Sequence, residues 1–253
     1  MLLAALLTLM VANPVAPPPA AQAGPAAITV HLAGDSTLAP KLETKRPESG
    51  WGEYLQQQFA PGTVVVDNRA RNGRSTRTFI ELGEWQALLD SVRPGDVVLI
   101  QFGHNDQSQN KPDRYTPLSD YRANLARFVA DVRARGAQPL LLTSVARREF
   151  DQAGRVRDSH GAYPDAVRAL AAAQQVPLID MQRRTEALLE SAGEQASRAF
   201  FLWLAPGEHV NYPAGVQDNT HFSPEGARRV AEDFAAALRT SGLPLAARLR
   251  PED

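Results

Sequence analysis

Apolar positions in this chain follow two rhythms that alternate from end to end. Five short runs are apolar almost without interruption: residues 28–33 (ITVHLA), 63–66 (TVVV), 96–102 (DVVLIQF), 139–145 (PLLLTSV) and 176–181 (VPLIDM). Runs of this length and β-branched content, one of them opened by the turn pair Pro94-Gly95, read as strands of a parallel sheet buried on both faces. Between them, apolar residues recur three and four apart. Tyr121, Leu125, Phe128, Val129 and Val132 mark a helix over residues 120–135. The same spacing predicts helices at 163–174, 185–192 and 224–238, and a short one at 52–59. Strand–helix alternation of this kind predicts an α/β fold, a three-layer α/β/α sandwich around a central five-stranded parallel sheet.

Two stretches, residues 107–117 and 193–220, carry neither rhythm and read as long loops. Long loops in a compact domain tend to be functional. In an open α/β sheet, ligands bind beyond the carboxyl ends of the strands. Strand ends are therefore the places to look for chemistry.

The beginning of the chain stands apart. Residues 1–11 are an uncharged apolar run, followed by a Pro/Ala-rich segment with Ala21-Gln22-Ala23 before Gly24. That order reads as a secretory signal peptide over residues 1–23, although its positive end is the amino terminus alone. A floppy N-terminus or a short anchor is the competing reading, and the run is only about half the length a spanning helix needs. The expectation is a secreted or periplasmic protein whose residues 24–253 form one domain. With 43% hydrophobic and 22% charged residues it has an ordinary globular composition. A net charge of −1 offers no field for nucleic acid or for a membrane surface. The absence of cysteine excludes thiol catalysis, cysteine metal sites and disulfides.

Four clusters stand at strand or helix ends. Gly34-Asp35-Ser36-Thr37 follows the first run, where a turn can present a serine hydroxyl; as a bare motif it reads equally as a turn and helix cap. Asn72-Gly73-Arg74-Ser75-Thr76 follows the second, where a glycine can expose a backbone N–H, or simply form an Asn-Gly turn. Gly103-His104-Asn105-Asp106 follows the third, where an asparagine amide can donate to a developing oxyanion, or the cluster reads equally as a polar loop capped by Asn or Asp. Asp218-Asn219-Thr220-His221 precedes Pro224; an aspartate three residues before a histidine can accept from its ring Nδ1 and fix the tautomer. His221 has no second histidine at helical spacing, so a metal site is the weaker reading. His31, inside the first run, reads as a satisfied core histidine.

Taken in order, these clusters resemble the SGNH (GDSL-type) hydrolase superfamily, from Ile28 to about Leu238. The finer blocks GDST, GWGEYL (residues 50–55), NGRSTRTF (72–79), FGHND (102–106) and DNTHFSPEGA (218–227) look like rhamnogalacturonan acetylesterases. The resemblance implies a flavodoxin-like sandwich with Ser36 as nucleophile, His221 as its base and Asp218 orienting His221. It implies an oxyanion hole from the N–H groups of Ser36 and Gly73 with the Asn105 amide, and neither metal nor cofactor. The expected partner is an acetylated plant cell-wall polysaccharide or oligosaccharide such as rhamnogalacturonan or other pectin, bound by a monomer. Competing readings are an esterase or lysophospholipase acting on acyl chains and a carbohydrate-binding relative without turnover. Asp35, Arg74, His104 and His209 are candidate substrate contacts, Arg74 and Arg77 as partners for uronate carboxylates. Trp51 or Trp203 could stack on a sugar, with core packing the commoner use of such residues. A histidine base must be neutral, so activity is expected to fall below roughly pH 6.

Overall fold

β1 (Ile28–Gly34), β2 (Val64–Asn68), β3 (Val97–Gln101), β4 (Gln138–Leu142) and β5 (Leu178–Ile179) form one sheet in the order β2-β1-β3-β4-β5. Every pairing is parallel. The structure is a computed structural model and describes residues 26–251, so the leader expected at residues 1–23 lies outside the described residues.

Both faces of this sheet are covered, and the strand sequences show why. Val97 and Leu99 of β3 pack into one apolar cluster while Val98 and Ile100 pack into another, and Leu140 and Leu142 alternate with Leu141 in β4 in the same way. A strand with apolar side chains on both faces can be stable only between two layers. One layer holds α1 (Thr76–Glu81), α2 (Glu84–Leu89), α3 (Leu118–Ala134) and α4 (Ala162–Gln174), contributing Phe79, Trp85, Phe128 and Val167. The other holds α5 (Met181–Ala196) and α6 (Pro224–Arg239), contributing Leu189, Val230, Phe234 and Leu238. The sandwich has the three layers and five parallel strands that the apolar runs predict.

Three local expectations are corrected. Residues 52–59 do not form one helix; 3-10 turns at Trp51–Tyr54 and Gln56–Gln58 take its place. Here the backbone of Gly50 and Gly52 lies against Leu38 and Ala39 so closely that a Cβ at Gly50 would fall 2.1 Å from the Ala39 carbonyl oxygen. Residues 76–89, where no element is foreseen, hold the short helices α1 and α2. The expected loop at 193–220 contains a two-stranded antiparallel ribbon of β6 (Phe201–Leu204) and β7 (Val216–Phe222). Most of β7 (VQDNTHF) is half-exposed and polar, so it lacks the apolar run that marks the sheet strands.

The sheet order fixes where a site can form. From β1 the chain passes to β2 on one side, and β3 then pairs with β1 on the other. The crevice between the carboxyl ends of β1 and β3 is therefore a topological switch point.

Candidate active site

Ser36 stands at that crevice because β1 cannot run on. A Cβ at Gly34 would fall 2.8 Å from both the Gln101 carbonyl oxygen and Leu38 Cδ2, so the strand ends on a residue with no side chain to clash. Asp35 then closes a tight turn. Its Oδ1 accepts from the Thr37 N–H (2.9 Å) and hydroxyl (2.8 Å), and its carbonyl oxygen accepts from the N–H groups of Leu38 and Ala39. Lys41 secures the turn from behind. Its buried ammonium donates to the Ser36 carbonyl oxygen and to Asn72 Oδ1 (2.9 Å), and it pairs with Glu48 at 2.7 Å. One cation thus joins the Ser36 turn to the loop after β2.

Ser36 Oγ lies 2.9 Å from His221 Nε2, and His221 Nδ1 lies 2.7 Å from Asp218 Oδ2. The other Asp218 oxygen accepts from the N–H groups of Thr220 (2.6 Å) and His221 (2.9 Å). Burial pushes the Asp218 carboxyl up, but His221 and these backbone donors outweigh it and hold the group at about 2. An ionised Asp218 accepts from Nδ1–H, which leaves the Nε2 lone pair facing the serine hydroxyl. This arrangement can take a proton from Ser36 as its oxygen attacks a carbonyl carbon.

β7 holds its pair through fasteners on either side of it. The Arg148 N–H donates to the Asn219 carbonyl oxygen (2.8 Å), and Arg148 Nη1 and Trp203 Nε1 both donate to Asn219 Oδ1. Beyond His221, Phe222 is buried against Phe201 with ring centroids 5.2 Å apart, and its carbonyl oxygen accepts from the Ser49 N–H.

Three donors surround the serine. Gly73 has φ of +75°, a left-handed conformation that favours glycine. Neither its N–H nor that of Ser36 meets a protein acceptor among the described residues. Asn105 Nδ2 donates to the Arg74 carbonyl oxygen at 2.8 Å, which orients the amide and leaves its second hydrogen free. Behind it, Asp106 Oδ1 accepts from the Thr76 N–H and hydroxyl, and burial pushes this carboxyl up to about 7. Ser36, Gly73, Asn105 and His221 all line one cleft of about 650 Å³.

Comparison with known proteins gives the chain a family. The family model for the GDSL-like Lipase/Acylhydrolase family matches residues 32–229. The chain belongs to the GDSL-like lipase/acylhydrolase family. It is 45% identical to rhamnogalacturonan acetylesterase RhgT of Bacillus subtilis, over 86% of this chain and 92% of that protein. It is 25% identical to a rhamnogalacturonan acetylesterase of Emericella nidulans, over 86% and 87% of the two chains. Among solved structures, the acetylxylan esterase Axe2 of Geobacillus stearothermophilus shares the fold. Its TM-score is 0.63 at 19% identity, over 90% of this chain and 98% of that one.

Within this GDSL-like hydrolase, the other candidate contacts divide. Asp35 is wholly buried and occupied by Thr37, with Oδ2 facing His104 Nδ1 at 3.4 Å, so it touches no substrate. Burial pushes Asp35 up, but His104 and the Thr37 donors outweigh this and hold it at about 2. His104 lines the cleft floor yet is buried, which pushes its ring toward the neutral form. Arg74 lines the cleft, but its guanidinium is bidentate on Glu84 (2.9 and 3.0 Å). Arg77 is taken up by Glu81 and by the carbonyl oxygens of Pro112 and Tyr115. His209 is outside the cleft lining, in the β6–β7 connection, where its Nδ1 accepts from the Asn211 N–H. Trp51 is core, donating to Gln101 Oε1, and Trp203 has the guanidinium groups of Arg148 and Arg198 at 5.2 and 4.8 Å from its ring; neither lines the cleft. His31 is the satisfied core histidine expected, between Asp67 (3.0 Å) and Asp96 (3.3 Å).

Sequence reasoning missed Lys41, Arg147 and Arg148. The last two sit side by side just beyond the PLLLTSV run, and no spacing rule tells that one faces the cleft and the other the ribbon. Lys41 had one usable signal. It is one of only three lysines in an arginine-rich chain, five residues after the serine.

Proposed function

We propose that the chain is a serine acetylesterase that removes O-acetyl groups from a plant cell-wall polysaccharide, with rhamnogalacturonan as first candidate. The observation that carries this reading is the continuous Ser36–His221–Asp218 hydrogen-bond chain at the switch point. Ser36 Oγ attacks the acetyl carbonyl carbon while His221 Nε2 takes its proton. The carbonyl oxygen becomes an oxyanion facing the N–H groups of Ser36 and Gly73 and the Asn105 amide. As the adduct collapses, His221 returns the proton to the departing sugar oxygen, leaving acetyl-Ser36. Water repeats the attack with His221 again as base, the adduct collapses with His221 returning that proton to Ser36 Oγ, and acetate leaves. Asp218 stays ionised and orients the ring throughout. Bonds and protons balance with water alone, and the sequence of steps calls for no metal or cofactor.

The substrate side rests on relatives. Both curated proteins described above are named rhamnogalacturonan acetylesterases, one of them at 45% identity. The polar and charged cleft lining supports a sugar over a long acyl chain. Such a polymer lies outside the cell, so the leader reading of residues 1–23, a secreted or periplasmic location and a single domain over 24–253 belong to the same proposal, as does a monomeric state.

Acetate release from acetylated rhamnogalacturonan, pectin and xylan tests the reading directly, alongside acetyl and octanoyl nitrophenyl esters. The expected result is release from rhamnogalacturonan, preference for acetyl, and loss of activity by about 10⁴-fold or more in Ser36→Ala. An octanoyl preference overturns the acetyl assignment. Activity surviving in Ser36→Ala overturns the nucleophile.

A further inference from the structure

The charged residues of the cleft are unevenly committed. Five cations line it: Lys45, Lys111, Arg74, Arg114 and Arg147. Its two carboxylates, Glu48 and Asp113, are already held by Lys41 at 2.7 Å and Arg114 at 2.9 Å. Arg74 is satisfied by Glu84. Lys45, Lys111 and Arg147 have no carboxylate at ion-pair distance among the described residues. The chain has only three lysines, so every one of them is either in this cleft or directly beneath it.

Arg147 is the most telling of the three. It follows the buried Val145 and Ala146 on the segment leaving β4, so its backbone is fixed by the core. Its Nη1 donates to the Ser159 carbonyl oxygen at 3.0 Å, which fixes the head as well. Burial pushes its pKa down, the mark of a cation losing solvent without a full replacement. Its neighbour Arg148 shows what a complete replacement looks like. That guanidinium has no carboxylate either among the described residues, yet it reaches Ser197 Oγ, Asn219 Oδ1, the Glu194 carbonyl oxygen and the ring of Trp203. Among the described residues Arg147 has a single backbone acceptor, and it opens onto the cleft that holds Ser36 and His221. A half-buried cation left this way is costly unless a ligand brings the anion. A guanidinium fork matches a carboxylate, which it can hold in bidentate fashion.

We propose that Arg147 anchors a carboxylate of the substrate, carried by a sugar-acid ring bound in the same cleft as the acetyl ester. Lys45 and Lys111 add a positive field along the same cleft that draws the acidic chain in. This rests on the acetylesterase reading and sharpens it: the enzyme selects acidic, unmasked saccharides over neutral ones. Where those carboxylates are methyl-esterified, ester hydrolysis at the carboxyl group must come first to supply the substrate.

The test uses one acetylated acidic oligosaccharide in two forms, with carboxylates free and with the same groups methyl-esterified. The readout is the ratio of kcat/KM for the free acid to that for the methyl ester. Wild-type protein is expected to favour the free acid by roughly tenfold or more, less so as salt is added. The ratio should fall toward one in Arg147→Gln and stay between in Arg147→Lys. General damage to the site lowers both rates together and leaves the ratio in place. A wild-type ratio near one, or a preference that survives Arg147→Gln, overturns the proposal and leaves the acetylesterase reading standing. Failure to release acetate from either form, with nitrophenyl acetate still hydrolysed, overturns the polysaccharide reading and this inference with it.

Discussion

Ser36, Gly73 and Asn105 follow the ends of three adjacent strands, the buried β1 and β3 and the half-exposed edge strand β2. Asp218 and His221 sit instead on β7, an outlying ribbon strand whose residues are mostly half-exposed. Ser36 and Asn105 are placed by apolar packing on both faces of β1 and β3, so they cannot shift without disturbing the core, and Lys41 ties the Gly73 loop to the Ser36 turn. The second group is placed by a few specific contacts, chiefly Asn219 with Arg148 and Trp203, and Phe222 with Phe201 and Ser49. The nucleophile and oxyanion donors thus belong to the architecture, while the base belongs to an attachment that polar rivets hold against it.

Substitutions can break or sharpen this contrast. The largest effect is expected for Asp218→Asn, which keeps the shape of the ribbon but offers His221 the wrong partner. kcat on nitrophenyl acetate should fall by about 10⁴-fold, and a loss below tenfold would show that the ribbon carboxylate does not orient the base. Asn105→Ala on the sheet side should lower kcat by roughly 10²–10³-fold with KM little moved. Next come the fasteners. Arg148→Met loosens the ribbon, and Lys41→Met loosens the link between the Ser36 turn and the Asn72 loop. Each should cost about 10²-fold in kcat, the scale of a small misplacement of reacting groups. Near-normal kcat in Arg148→Met, with the protein folded by circular dichroism, would show that the ribbon needs no rivet.

The smallest effect is on stability. Asp35, buried beneath the serine, is held at about 2 against an ordinary 3.8, so its ionised form favours the folded state. That contribution, roughly 2 kcal/mol, is fully present above pH 3.8 and is lost as the pH falls through about 2. Urea unfolding at pH 6 and pH 2 should show a smaller difference in Asp35→Asn than in wild type, by roughly 2 kcal/mol at most. An unchanged difference would mean that the carboxylate under the nucleophile does not stabilise the fold in this way.

The same contrast decides what could be read from sequence. The runs at 28–33 and 96–102 are apolar because two layers cover them, and that requirement is written into consecutive residues. The three-layer sandwich and the strand ends that carry Ser36 and Asn105 were legible for that reason. The Asp-x-x-His spacing was legible too, because a carboxylate three residues from a histidine reaches its ring through local geometry. The β6–β7 ribbon was not, since VQDNTHF is shaped by contacts with distant Arg148, Ser49 and Phe201 rather than by its own periodicity.

What the sequence determined by itself was the set of elements and the local chemistry of each cluster, since strand burial, turn formation and the Asp218–His221 pair all depend on near neighbours. Only the tertiary structure decided which charges are free. Arg74 looks available until Glu84 is brought against it, Arg77, already one helical turn from Glu81, is closed off by the distant carbonyl oxygens of Pro112 and Tyr115, and Arg147 meets no carboxylate among the described residues. Electrostatic pairing is a matter of distance in space, and residues far apart in the chain set it.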